Sequence, residues 1–369
     1  MGGIGSHARL IAFYLPQFHP IPENDRWWGK GFTEWTNVAR ARPLFRGHHQ
    51  PHIPADLGFY DLRLPESRLA QAELATAHGL EGFCYWHYWF DGKRLLQRPF
   101  EDVLALGNPE LPFCLAWANE TWSRRWLGEE KDILQKQIYS PDDDRNHARW
   151  LVNVFADPRC IKVHGRPLFS IYRPLDLPDP GQTTDILREE SVKSGLPEPF
   201  LLGINGHCSH LDCRTIGFDG TLNFEPQLGA LPDFMEDRPK VSKFMSNLKS
   251  GVISPALKIY DYSESRRLML ARKKDFPIYP CIFVGWDNTP RRGRNSIVIV
   301  NSTPDAFAAG LREMVQSVAD KPYDDRLIFI NAWNEWAEGN HLEPDLKNGL
   351  GFLEAVKRVN GRVGADNAP

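Results

Sequence analysis

Eight short apolar runs, most of them separated by a segment with helical spacing, limit this chain to very few folds. The runs fall at residues 9–15, 82–90, 111–118, 167–172, 200–204, 220–224, 280–284 and 327–332. They are almost continuously apolar rather than alternating, the pattern of strands buried on both faces of a parallel sheet. Apolar residues with helical periodicity lie between them at 66–78, 95–106, 142–155 and 184–194, then at 304–318 and 351–359. Repeated strand–helix alternation over 369 residues predicts an α/β fold, a single-domain (β/α)8 TIM barrel. A doubly wound sheet is the rival, but no G-x-G-x-x-G turn follows the first run. The expected division is a flexible leader at 1–8, the barrel at 9–361 and a flexible tail at 362–369. Two connections are long: a polar loop at 21–58 after strand one, and an insertion at 227–276 after strand six.

Bulk properties narrow the function classes. A net charge of −3 gives no electrostatic case for binding nucleic acid or an acidic membrane. No apolar run has the length of a membrane span, and no apolar signal region precedes the first strand, so a cytoplasmic protein, or one peripheral to the inner membrane, is expected. Met1-Gly2 with Ser6 fits a myristoylation pattern, but a flexible leader is the plainer reading. Cys84, Cys114, Cys160, Cys208, Cys213 and Cys281 form no C-x-x-C pair and are expected to be buried free thiols.

Barrel enzymes place functional residues at the C-terminal ends of their strands. Here strand one ends in Tyr14, Gln17 and His19, and strand two in Trp86, His87, Tyr88 and Asp91. Strand three ends in Trp117, Asn119, Glu120 and Trp122; strand five in Asn205 and His207; strand six in Asn223 and Glu225. Strand seven runs into Trp286, Asp287 and Asn288, and strand eight into Asn334, Glu335, Trp336 and Glu338. Carboxylates, amides and histidines suit sugar hydroxyls, and flat aromatic rings suit the C–H faces of sugars. Each tryptophan can equally be core packing.

Glu335 and Glu338 are three residues apart, so a helical turn would place both on one side. Two carboxyls that close push one pKa upward and provide an acid and a base from one segment. The bland alternative is a pair of acids at a solvated helix N-terminus. Glu120, in a second Asn-Glu pair, could instead work with Glu335 as acid and nucleophile from separate strands. Glu34, beside Trp35, is a third acid. His48, His49 and His52 are interrupted by Pro51 and are not expected to hold a metal, and no cofactor is expected. No G-x-S-x-G motif is present.

The segments YLPQFHPIPENDRWWGKGFTEW, GFCYWHYWF, LAWANETW and NAWNEWAEGNHLEPD resemble WbsX-like proteins of bacterial surface-polysaccharide gene clusters. These are described as glycosyltransferases and are related to glycoside hydrolase family 99, the endo-α-1,2-mannosidases and mannanases. The tie to family 99 rests on residues 333–339 and 285–289. That resemblance implies a (β/α)8 barrel and a retaining mechanism in which the first glutamate deprotonates the sugar's own 2-hydroxyl. Carried across, Glu335 is that base and Glu338 the general acid, with a 1,2-anhydro sugar between the two steps. The loops at 21–58 and 227–276 depart from the mannosidases.

The expectation is an enzyme acting on an oligosaccharide or polysaccharide. Binding is assigned to Tyr14, Gln17, His19, Glu34, Trp86, His87, Trp117, Asn119, Glu120, Trp122, Asn205, Glu225, Trp286, Asp287, Asn334 and Trp336. A glycosyltransferase and a non-catalytic sugar-binding relative are the alternatives.

Overall fold

The computed structural model describes residues 7–124, 129–206, 210–232, 257–272 and 274–361. Eight parallel strands close on themselves: β1 (Arg9–Tyr14), β2 (Gly82–Phe90), β3 (Phe113–Trp117), β4 (Arg166–Ile171), β5 (Phe200–Ile204), β6 (Gly220–Asn223), β7 (Ile278–Phe283) and β8 (Leu327–Asn331). Each pairs with the next in sequence, and β1 also pairs with β8, with Arg9 opposite Leu327 and Ala12 opposite Ile330. β1, β2, β3, β5 and β8 are buried along their whole length, which is why their sequences are apolar runs without alternation. Close packing also explains Gly203 inside β5, where a Cβ would stand 2.5 Å from the Cys213 Sγ. All eight strands expected from the sequence are present, each within two residues of its expected limits.

The outer layer contains α3 (Pro65–Ala77), α4 (Arg98–Leu106), α5 (Pro141–Phe155), α6 (Pro180–Lys193), α9 (Pro304–Val318) and α10 (Gly351–Asn360). α5, α6 and α9 start alike: Ser140, Asp179 or Thr303 accepts a backbone N–H, and proline occupies the first turn. The connection at 21–58 is not the plain loop its composition suggests. It contains α1 (Pro22–Trp28) and α2 (Glu34–Arg40), started by Pro22 and by a capping box between Thr33 and Thr36. At seven residues each, these helices are too short to show an apolar period.

The end of the 227–276 insertion is also ordered. Its strand Lys258–Asp261 pairs with Ile297–Val300, which in turn pairs with Trp286–Asp287, and α7 (Tyr262–Leu270) packs beside them. The middle of the insertion, the tail and His207 lie outside the described residues, as do residues 1–6. Residues 7 and 8 are not a free leader: His7 Nδ1 lies 2.7 Å from the Asn360 carbonyl, and the Ala8 N–H donates to the Asn360 side chain at 2.9 Å. Among the described cysteines, Cys84, Cys114, Cys160, Cys213 and Cys281 are buried free thiols. No described helix is long and apolar enough to cross a membrane.

Candidate active site

Beyond β8 the chain makes a tight hairpin, with Asn334–Glu335 antiparallel to Asn340–His341 around a 3₁₀ turn at Trp336–Glu338. Gly339 closes the turn at φ 57°, and a Cβ there would stand 3.0 Å from that of Asp287. The turn throws Glu335 and Glu338 to the same side. Asn334 fixes the hairpin in place: its amide accepts the Leu15 N–H at 2.7 Å and donates to the Leu15 carbonyl at 3.1 Å. Trp336 donates its indole N–H to Glu343 at 2.6 Å and stacks on His341 at 3.8 Å.

The two glutamates meet a cation that sequence reading missed. Arg291, on the single-turn helix α8 (Thr289–Arg292), reaches Glu338 at 2.6 Å, Glu335 at 3.0 Å and Glu34 of α2 at 3.2 Å. Glu34 is wholly buried and Glu335 is 8% exposed. One guanidinium among three carboxyls leaves the group short of positive charge, and burial makes unbalanced charge costly. Burial, reinforced by Glu338 and Glu34 and opposed by Arg291, pushes Glu335 up to about 8. Burial raises Glu338 too, again against Arg291. The same acids hold the Arg291 guanidinium firmly protonated despite its burial. The signal available in the sequence was the demand itself: buried acids need a planar, bidentate cation, and Arg291 lies two residues beyond the 285–289 motif.

Above this group opens a cleft of about 310 Å³. Of the residues expected to touch substrate, Gln17, Trp86, Glu120, Trp122, Trp286, Glu335 and Glu338 line it. Tyr88, expected at the end of strand two, lines it as well, and so do Asn24, Trp28, Tyr172, Phe224 and Arg291, which were not singled out. Glu120 lines the cleft from beyond the end of β3 and is bridged to Arg173 at 3.2 Å.

The other expected binding residues are placed elsewhere. Tyr14 donates to Gln71 beneath the site, and His19 is buried, its pKa lowered to about 4 by desolvation. His87 is buried against His147 at 2.9 Å and stacks on Trp150, while Trp117 donates to the Trp89 carbonyl. Asn119 brackets the backbone of Arg173, and Asn205 donates to the Leu211 carbonyl. Glu225 is buried at the end of β6, where desolvation raises it to about 8. Asp287 accepts from Gln50 at 2.6 Å, faces His48 at 2.7 Å and is held as a carboxylate. Glu34 pairs with Arg291, and Asn334 and Trp336 brace the hairpin. Asn119, Asp287 and Asn334 tie one loop to another, and Tyr14, His87 and Trp117 tie strands to a helix or a neighbouring strand, uses that residue type alone does not separate from substrate binding.

Comparison with known proteins places this geometry. A family model described as "Glycosyltransferase WbsX" matches residues 10–356. Two proteins named WxcX, described as uncharacterized, from two strains of Xanthomonas campestris pv. campestris, are 43% identical over 358 residues, 96% of this chain. The chain spans about half the length of these relatives, 50% of each. A GH99 endo-alpha-mannosidase from Bacteroides thetaiotaomicron superposes with TM-score 0.55 at 17% identity, covering 97% of both chains. A "Glycoside hydrolase-like protein" superposes with TM-score 0.56 at 12% identity, over 97% of this chain and 95% of that one. At such identities the superpositions establish a shared fold: a closed barrel of the kind found in GH99 enzymes. The match along almost its whole length shows that this chain belongs to the WbsX family.

Proposed function

We propose that the protein cleaves an internal glycosidic bond of a bacterial surface polysaccharide or related oligosaccharide, with retention of configuration. Glu335 and Glu338 are the acid–base pair, and an α-mannoside is the first substrate to try, because a solved neighbour is named an endo-alpha-mannosidase. The observation that carries the reading is the convergence of both glutamates on Arg291 at the floor of an aromatic-walled cleft at the barrel's C-terminal end.

In the proposed reaction Glu335 takes the proton of the sugar's 2-hydroxyl, and that oxygen attacks the anomeric carbon. The glycosidic C–O bond breaks as Glu338 protonates the departing oxygen. Water, deprotonated by Glu338, then opens the 1,2-anhydro ring at the anomeric carbon, and Glu335 returns its proton to the 2-oxygen. The short spacing suits this route, because neither carboxyl has to reach the anomeric carbon. Burial raises both carboxyls, so the pair can hold a proton between them, supplying the acid while the other carboxylate acts as base.

The test uses α-mannan oligosaccharides, and separately a nucleotide sugar with an acceptor. Hydrolysis lost by about 10²–10⁴-fold in both Glu335→Gln and Glu338→Gln is the expected result. A mannosyl fluoride, whose leaving group needs no proton, should restore turnover in Glu338→Gln alone. Rescue of Glu335→Gln instead would exchange the roles. The family's description as a glycosyltransferase favours a second reading, transfer from an activated donor. Transfer that survives in both variants would remove the two glutamates from the chemistry, and activity tracking Glu120→Gln would favour a pair drawn from separate strands.

A further inference from the structure

On the side of the hairpin away from the cleft, the loop after β1 and the loop after β8 are zipped together. The Ala55 N–H donates to the Pro344 carbonyl and the Leu346 N–H to the Ile53 carbonyl, both at 2.9 Å. This pairing draws three side chains, from sequence positions nearly 300 residues apart, into one knot. His52 Nδ1 lies 2.9 Å from His341 Nε2, and the Asp345 Oδ2 lies 3.8 Å from the same nitrogen. One donor atom from each of the three lies within 4.8 Å of the others.

The hydrogen bonds around the knot fix what those atoms can do. His341 Nδ1 sits 2.9 Å from the Glu343 carbonyl, which can only accept, so Nδ1 carries the hydrogen and Nε2 presents a lone pair. A backbone carbonyl that fixes the tautomer in this way is the usual outer partner of a metal-bound histidine. The ring is held further by its stack on Trp336. Asp345 is oriented by the backbone N–H groups of Lys347 and Asn348, both donating to Oδ1, while Oδ2 accepts the Asn348 side-chain amide at 3.2 Å and keeps a second lone pair on the side of His341. A cavity of about 240 Å³, lined by all three residues and by His49, opens beside them.

We propose that His52, His341 and Asp345 form a site for a divalent metal ion of the zinc class, with a fourth position open to this cavity. Two imidazoles and a carboxylate are a borderline donor set that suits zinc. In a tetrahedral zinc site neighbouring ligand atoms stand about 3.3 Å apart; the separations of 2.9 and 3.8 Å lie close to that, and the third, within 4.8 Å, closes by a rotation of the half-buried His52 ring. Binding moves the His52 hydrogen from Nδ1 to Nε2 and requires neither net proton release nor a redox change. A water or His49, whose ring centre is 5.0 Å from that of His52, completes the sphere. The ion would pin the β1 loop to the β8 loop directly behind Trp336, and so stiffen the turn that presents Glu335 and Glu338. The site stands apart from the glycosidase reading and survives if that reading fails.

Calorimetric titration of the EDTA-stripped chain with zinc should show one saturable equivalent, and thermal unfolding should move up by several degrees at saturation. Cobalt in place of zinc should give the visible absorption of a four-coordinate ion. His52→Ala, on a half-buried loop position, should lower zinc affinity by about 10–100-fold and abolish the cobalt band. It should melt like the wild type when both are metal-free. Absence of saturable zinc binding by the wild type overturns the proposal. So does a cobalt band that His52→Ala leaves intact, which would assign the ion to other surface groups. Should His52→Ala fail to fold, the wild-type titration and cobalt spectrum decide alone.

Discussion

The two walls of the cleft are built on opposite principles. The wall formed by β8, α2 and α8 is charged and tightly interlocked, with Arg291 holding Glu34, Glu335 and Glu338 in one buried group. The facing wall, from the ends of β2, β3, β4 and β6, presents Trp86, Trp122, Tyr172 and Phe224 with Glu120 at its edge. One wall can move protons; the other offers flat surfaces of low polarity. The difference teaches where substitutions should act: on chemistry and stability at the first wall, and on binding at the second.

The largest effect that would sharpen this contrast is structural. Arg291→Met removes the counter-charge from three buried carboxyls, and breaking such a group costs about 3–5 kcal/mol. Thermal unfolding should show the full loss at pH 8 and a much smaller one at pH 5, where the acids take up protons. Equal losses at both pH values would mean that packing, not charge, is what Arg291 supplies. A second effect concerns the wild type. Glu335 titrates at about 8 in the folded protein against an ordinary 4.5, so its protonated form is favoured by folding. That contribution is fully present below pH 4.5 and is lost as pH rises toward 8. The melting temperature should therefore fall from pH 5 to pH 8, and Glu335→Gln should flatten the slope; an unchanged slope breaks the assignment. The smallest effect belongs to the aromatic wall. Trp122→Ala should raise KM about tenfold, roughly 1.4 kcal/mol of stacking and burial, with kcat nearly unchanged. A fall in kcat of the same size would show that the two walls are not separable.

The contrast also explains what could be read from the sequence. The barrel was legible because strands buried on both faces must be apolar throughout, and eight such runs leave little choice of fold. Glu335 and Glu338 were legible because they are adjacent in sequence as well as in space. Arg291 and Glu34 were not, since their meeting depends on two short helices that start on local capping signals and show no periodicity of their own. The expected binding set was too generous for the same reason. Asn334, Asn119, Asp287 and His87 have the chemistry to bind a sugar, but their hydrogen bonds are made to neighbouring loops or, for His87, to α5. Only the third dimension distinguishes a side chain that faces the cleft from one that supports it.

The clamp between Asn334 and the backbone of Leu15 joins the first strand of the barrel to the hairpin beyond the last. The charged group drawn together there takes Glu34 from near the beginning of the chain, Arg291 from its last quarter and both glutamates from beyond β8. On the ribosome, Glu34 and Arg291 have both been made before either glutamate exists. A nascent chain therefore carries Trp86, Trp122, Tyr172 and Phe224 of the cleft before it carries the complete group of charges that shares the cleft with them.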